Sequence, residues 1–158
     1  MGTPVSGDLS VLKVKLICVG RLKEKFYIDA CAEYIKRLGR YCRFELCEVA
    51  ESGSLEKEGA AVLEKIPAGA FVIAMCIEGR LMDSEKLAAE IAAKTVGGCS
   101  QMVLLIGGSD GLHEAVKERA QLRLSMSPMT FPHHLARVMV LEQVYRAFTI
   151  NEGSKYHK

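Results

Sequence analysis

LSMSPMTFPHHLARVMVLEQVYRAF, residues 124–148, joins a short apolar and hydroxyl segment to a helix. Leu135, Val138, Met139, Leu141, Val144, Tyr145 and Phe148 recur at three- and four-residue spacing, which predicts a helix of about five turns. Pro132 suits the first helical turn, where a missing N–H costs nothing, and Thr130 is positioned to cap it. Glu142 and Arg146 sit four residues apart and so share one face. On pattern alone this is a core helix carrying one surface ion pair. The entry loop, however, holds Met126, Met129 and Phe131, and solvated loops are rarely that apolar. A ligand-lining role is the second reading.

Outward from this stretch, strands and helices alternate. Upstream lie a short strand, Leu122–Met126, and a short helix, Leu112–Ala120. Before them the apolar run Met102–Ile106 leads straight into Gly107-Gly108-Ser109-Asp110-Gly111. Phe71–Ile77 is apolar on both faces, as a central parallel strand should be, and Glu78-Gly79-Arg80 reads as the turn after it. Asp83 or Ser84 caps a helix that runs to about Val96. Val14–Val19 is a buried strand, Phe26–Leu38 a helix that Gly39 can end, and Ser54–Ile66 an amphipathic helix. Phe44–Val49 alternates like an edge strand. The expected fold is a single α/β domain over residues 13–158, with a mainly parallel sheet and helices on both faces.

Composition narrows the class. Hydrophobic residues make up 49% and charged residues 25% of 158, which is ordinary for a globular domain. No apolar run approaches the roughly 20 residues of a membrane helix, so no membrane partner is expected. Residues 1–12 read as a disordered lead-in or an expression remnant, and the N-terminus lacks a basic, apolar leader, so a cytoplasmic setting is expected. The six cysteines form no C-x-x-C pair and mostly sit in apolar runs, so buried reduced thiols and no metal are expected. Net charge is +2, but it is unevenly spread. Residues 13–46 carry nine Lys/Arg against four Asp/Glu, residues 47–116 five against eleven, and residues 117–158 seven against three. Basic ends that meet in space would suit a polyanion such as RNA; scattered solvated charge explains the pattern nearly as well.

In open parallel sheets, ligands bind beyond the carboxyl ends of the strands. That rule selects the loops after Met75, after Ile106 and at Met126–Phe131. The G-G-S-D-G turn lets a ligand approach the backbone, but it is neither a dinucleotide fingerprint nor a phosphate loop. No nucleophile elbow and no clear Cys–His pair is present. His133 and His134 begin the long helix, where the dipole disfavours a charged imidazole and a structural role is common. The tail Tyr156-His157-Lys158 reads as a frayed end or as an aromatic and cationic contact for a base and phosphate.

Several blocks in order closely resemble one family. They are Lys15–Lys25; Leu104-Leu105-Ile106-Gly107-Gly108-Ser109-x-Gly111-Leu112; Leu124-Ser125-Met126-Ser127-x-Met129-Thr130-Phe131-Pro132-His133; Glu142–Phe148; and Tyr156-His157-Lys158. Together they resemble the RlmH family of the SPOUT superfamily, bacterial methyltransferases of large-subunit ribosomal RNA, over residues 13–158. The resemblance implies a C-terminal trefoil knot, an exception to the rule against knots. It also implies a homodimer and S-adenosylmethionine held in the knot by Met75, Gly107, Met126, Ser127, Pro128, Met129, Thr130 and Phe131. The implied reaction is methylation of N3 of a pseudouridine in 23S rRNA, within the assembled 70S ribosome. Candidate catalytic residues are His133, Glu142, Arg146, Tyr156 and His157, with one subunit's tail completing the other's site. Arg21, Lys23 and Lys25 would contact rRNA phosphate. Two other readings stand beside this: a SPOUT enzyme acting on another RNA such as tRNA, and a ribosome-binding factor without turnover. The chain departs from the family pattern in residues 1–12, in a shorter loop after Glu48 and in Lys155, where proline is frequent.

Overall fold

The computed structural model describes residues 11–158. The expected lead-in therefore lies mostly outside the described residues, and its last member, Leu12, is buried in the core. The strands are β1 (Lys13–Val19), β2 (Arg43–Val49), β3 (Phe71–Leu81), β4 (Gln101–Ile106) and β5 (Leu122–Ser125). They form one sheet in the order β2-β1-β4-β3-β5, and every neighbouring pair is parallel. The helices are α1 (Lys25–Leu38), α2 (Leu55–Lys65), α3 (Ser84–Val96), α4 (Glu114–Arg119) and α5 (His133–Glu152).

Alternation along the inner strands divides the core in two. Leu16, Cys18, Ile73 and Leu104 face α1, α3 and α5; Ile17, Val72, Val103 and Leu105 face α2 and α4. Both faces are covered, which is why these strands read as unbroken apolar runs. Each such side chain contributes about 1.5–3 kcal/mol by leaving water. β2 lies at the edge, and its exposed alternate residues agree with the sequence pattern. Asp83 caps α3 by accepting the Lys86 N–H at 2.7 Å, and Ser54 caps α2 through the Lys57 N–H.

Three local expectations are corrected. Glu78-Gly79-Arg80 is not a turn: β3 continues to Leu81, and its pairing with β5 shifts register between Met75 and Arg80. Gly79 serves this bulge, because a Cβ there would stand 2.8 Å from the Arg123 carbonyl. Gly39 ends α1 as expected, in right-handed geometry at φ −58°. Thr130 does not cap α5; Pro132 occupies the N-cap without a side-chain bond. The fully buried stripe of α5 is Arg137, Val140, Leu141, Val144 and Ala147, while Leu135, Val138, Met139, Tyr145 and Phe148 are half-buried. An apolar count alone puts the stripe out of phase, because it skips the arginine at its head.

Candidate active site

Beyond the carboxyl ends of β3, β4 and β5 the three expected loops enclose a cavity of about 570 Å³. That falls in the range of roughly 300–1,000 Å³ usual for small-molecule sites. Met75 and Cys76 come from β3, Ile106 and Gly108–Leu112 from the β4 loop, and Met126, Ser127 and Met129–His133 from the segment after β5. Gly107 and Pro128 do not line it. Gly107 instead builds the turn: a Cβ there would lie 2.4 Å from the carbonyl of Gly111. Gly111, at φ +80°, returns its N–H to the Gly108 carbonyl at 3.0 Å.

The turn is held from outside by Glu51, which the sequence did not single out. Its carboxylate accepts the Ser109 hydroxyl at 3.1 Å, and the Ser109 backbone and side-chain donors hold its pKa below the ordinary value. On the opposite wall, Ser125 Oγ donates to the Ser127 carbonyl, and Ser127 Oγ accepts the Met129 N–H, each at 3.0 Å. These bonds shape an apolar loop whose Met129 remains 72% exposed. The lining is mostly thioether, aliphatic and backbone, with Ser109, Asp110 and a Glu78–Lys117 ion pair at 2.5 Å among its polar groups. Backbone exposed by glycines beside an apolar wall suits a nucleoside-like ligand better than a phosphate-dominated one. Burial and the neighbouring His134 push His133 below the usual imidazole pKa, so its ring is neutral at pH 7.

The other catalytic candidates meet elsewhere. Gly153, at φ +79°, closes α5 with a left-handed cap and turns the tail back along the helix. Glu142 then accepts Arg146 Nη2 at 2.6 Å and the Tyr156 hydroxyl at 2.8 Å. Arg146 Nη1 lies 3.1 Å from His157 Nδ1, and its guanidinium sits 4.8 Å above the Tyr156 ring. Burial, then the bond to Glu142, raise the Tyr156 pKa, so this phenol stays protonated. The pair expected at the surface is thus the half-buried centre of a network. His133 stands apart from it, since nine residues of helix at 1.5 Å each separate it from Glu142 by about 13 Å. Glu142 borders a second, apolar cavity of about 530 Å³ between α3 and α5, which shares Met75, Leu124, Ser125 and Met126 with the first.

Of the basic loop, Arg21 and Lys23 are exposed, whereas Lys25 is paired with Asp29 at 2.6 Å. Phe26, 66% exposed, stands beside them. Arg137 is a further group that apolar periodicity hides: it is 1% exposed and binds Glu48 Oε2 at 2.5 Å and the Gly20 carbonyl at 3.1 Å. Of the thiols, Cys76 lines the cavity, while burial pushes Cys18 and Cys42 up to about 12. Among the described residues no group of three His, Cys, Asp or Glu side chains is placed to hold a metal ion.

Residues 12–157 match the family described as "Predicted SPOUT methyltransferase". The chain belongs to this family. A protein of Bifidobacterium adolescentis named "Ribosomal RNA large subunit methyltransferase H" is 50% identical, over 93% of this chain and 100% of its own length. A protein of the same name from Streptococcus sanguinis is 46% identical with the same coverage. The fold is also that of a probable methylase family protein from Haemophilus influenzae, with a TM-score of 0.56 and 16% identity over 95% of this chain and 71% of that one. The α/β SPOUT fold is therefore shared at a distance, while about half of all aligned positions are shared with the relatives named for ribosomal RNA methylation. Among the described residues no helix is long and apolar enough to cross a membrane.

Proposed function

We propose that this SPOUT methyltransferase family member transfers a methyl group from S-adenosylmethionine to N3 of a pseudouridine in 23S rRNA on the assembled 70S ribosome, in the cytoplasm. One observation carries the reading above the others. The glycine turn, the apolar loop 126–131 and a Glu142–Arg146–Tyr156–His157 network occur together in a chain aligned end to end with relatives named for ribosomal RNA methylation.

S-adenosylmethionine would be held between the glycine turn and loop 126–131 by Met75, Met126, Ser127, Met129, Thr130 and Phe131, with Gly107 and Pro128 shaping the walls. When bound it supplies an electrophilic sulfonium methyl. Transfer of that methyl would form the N3–C bond and leave the S–C bonding electrons on sulfur. The N3 proton goes to a base, and His133, neutral and on the cavity wall, is the group in place to accept it. Arg146 and His157, oriented by Glu142 and Tyr156, offer positive charge and hydrogen bonds to the uracil carbonyls as N3 becomes anionic.

In one chain these two sets lie about 13 Å apart along α5, and a second subunit can bring them to the same base. The protein therefore works as a homodimer in which the tail network of one subunit faces the cavity of its partner, with the C-terminal segment threaded as a trefoil knot. The test is tritium transfer from labelled S-adenosylmethionine to intact ribosomes lacking the modification, with free rRNA and bulk tRNA alongside. Label on ribosomes alone, mapped to N3 of a pseudouridine, is expected. Label on tRNA would replace the substrate, and cofactor binding without label anywhere would leave a binding factor.

A further inference from the structure

The segment 20–24 leaves β1 and leads to α1, and it is pinned at every second residue. Gly20 gives its carbonyl to Arg137 Nη2 at 3.1 Å. Leu22 packs against the core cluster that holds β1, α1 and α5. Glu24 Oε1 lies 3.4 Å from His134 Nδ1, and the Tyr27 ring meets the His134 ring edge-on at 6.1 Å. Between these pins, Arg21 and Lys23 point to solvent, and neither has an ion-pair partner among the described residues. Both pins from α5 lie on one face of the helix, three residues apart. The residues immediately before them, His133 and Ala136, line the cavity. One turn of α5 thus touches the cavity with one side and the basic loop with the other.

Arg137 is poorly explained by stability alone. Its guanidinium is 1% exposed, and its Nε is buried without a hydrogen-bond partner. A well-packed apolar side chain at such a position is often at least as stabilising as a buried ion pair. What an apolar residue would not do is fix the Gly20 carbonyl and Glu48, from two strand ends, against the first turns of α5.

We propose that Arg137 and His134 are positioning residues for the RNA substrate, holding loop 20–24 so that Arg21 and Lys23 meet phosphates at a set distance from the cavity. This rests on the reading of the cavity as the methyl-transfer site and of the loop as an rRNA contact. The exposed Phe26 ring beside the loop fits the same chemistry, because aromatic and cationic groups together grip unpaired nucleotides.

The experiment is a kinetic cycle on unmodified ribosomes with Arg137→Lys, His134→Gln, the pair Arg21→Ala/Lys23→Ala, and their combinations. The loop pair is expected to raise KM for ribosomes about tenfold and to flatten its dependence on salt. Arg137→Lys keeps the charge but cannot serve both acceptors. It should raise KM and flatten the salt dependence in the same sense, while calorimetry gives cofactor affinity within about twofold of the parent. In the loop-pair background, Arg137→Lys should add little, because it acts through the residues already removed. Additive effects, or a loss in cofactor affinity as large as the rise in KM, would overturn the positioning role. A loop pair with unchanged KM and salt dependence would instead overturn the rRNA contact on which the proposal depends. If Arg137→Lys fails to fold, His134→Gln at the other pin carries the same expectations, and a fully additive result there refutes the proposal.

Discussion

His133 and Glu142 place opposite demands on charge, and each gives a prediction. His133 is held neutral by burial and by His134, so its folded pKa lies below the unfolded value near 6.5. A depressed histidine favours the folded state above the unfolded pKa and loses that contribution as pH falls through the folded one. If His133 is the base as proposed, the same proton removes it. The kcat/KM profile should therefore be flat near pH 7 and fall on the acid side at a pH below 6.5, and His133→Gln should lack that limb. A limb that survives the substitution would assign the base elsewhere. Glu142 serves as an acceptor, since Arg146 and Tyr156 both donate to it. Glu142→Gln weakens those charge-assisted bonds, each worth about 1.5–3 kcal/mol, so turnover should fall roughly 10- to 100-fold. Cofactor affinity should be almost unchanged, because Glu142 lies off the glycine turn; calorimetry on the variant checks this.

At the scale of elements, the glycine turn is a tight structure before it is a ligand contact. Gly107→Ala would push a methyl into the Gly111 backbone 2.4 Å away, so the turn must open and Ser109 must leave Glu51. Loss of about 1–3 kcal/mol in stability and a weaker cofactor are expected together, read by thermal unfolding and calorimetry. An alanine variant with parental melting and weak cofactor binding would show that Gly107 touches the ligand instead. The turn was legible in the sequence, since clustered glycines after an apolar strand mark a tight turn by chemistry alone. So were the strands, because burial on both faces writes itself as runs such as Met102–Ile106. The β3 bulge was not, because Glu78-Gly79-Arg80 has the composition of a turn and only β5, pairing across it, makes it a strand. Arg137 and Glu51 were hidden for a related reason. Each acts on a segment far away in sequence, Gly20 and Ser109 respectively, and local periodicity carries no record of that partner.

For the whole molecule, the separation of His133 from the Glu142 network gives the proposed two-chain site its test. About 13 Å of helix lies between them within a chain, while a methyl acceptor and its catalytic groups must sit within roughly 3–3.5 Å. A second copy is the direct way to bring the tail network to the cavity. Removing Tyr156–Lys158 should spare cofactor binding, because none of these residues lines the glycine-turn cavity, yet reduce ribosome methylation about 100-fold or more. Mixed dimers then separate the two arrangements. One subunit carries the truncation, and the other keeps its tail but bears Gly107→Val, which closes its own glycine turn. Completion between subunits puts the intact tail opposite the intact cavity, so each mixed dimer regains one working site although both parent homodimers are dead. Completion within a chain leaves no subunit with both halves, and mixing recovers nothing. Recovery should reach about half the activity of the parent dimer in the purified heterodimer, since one of its two sites is whole.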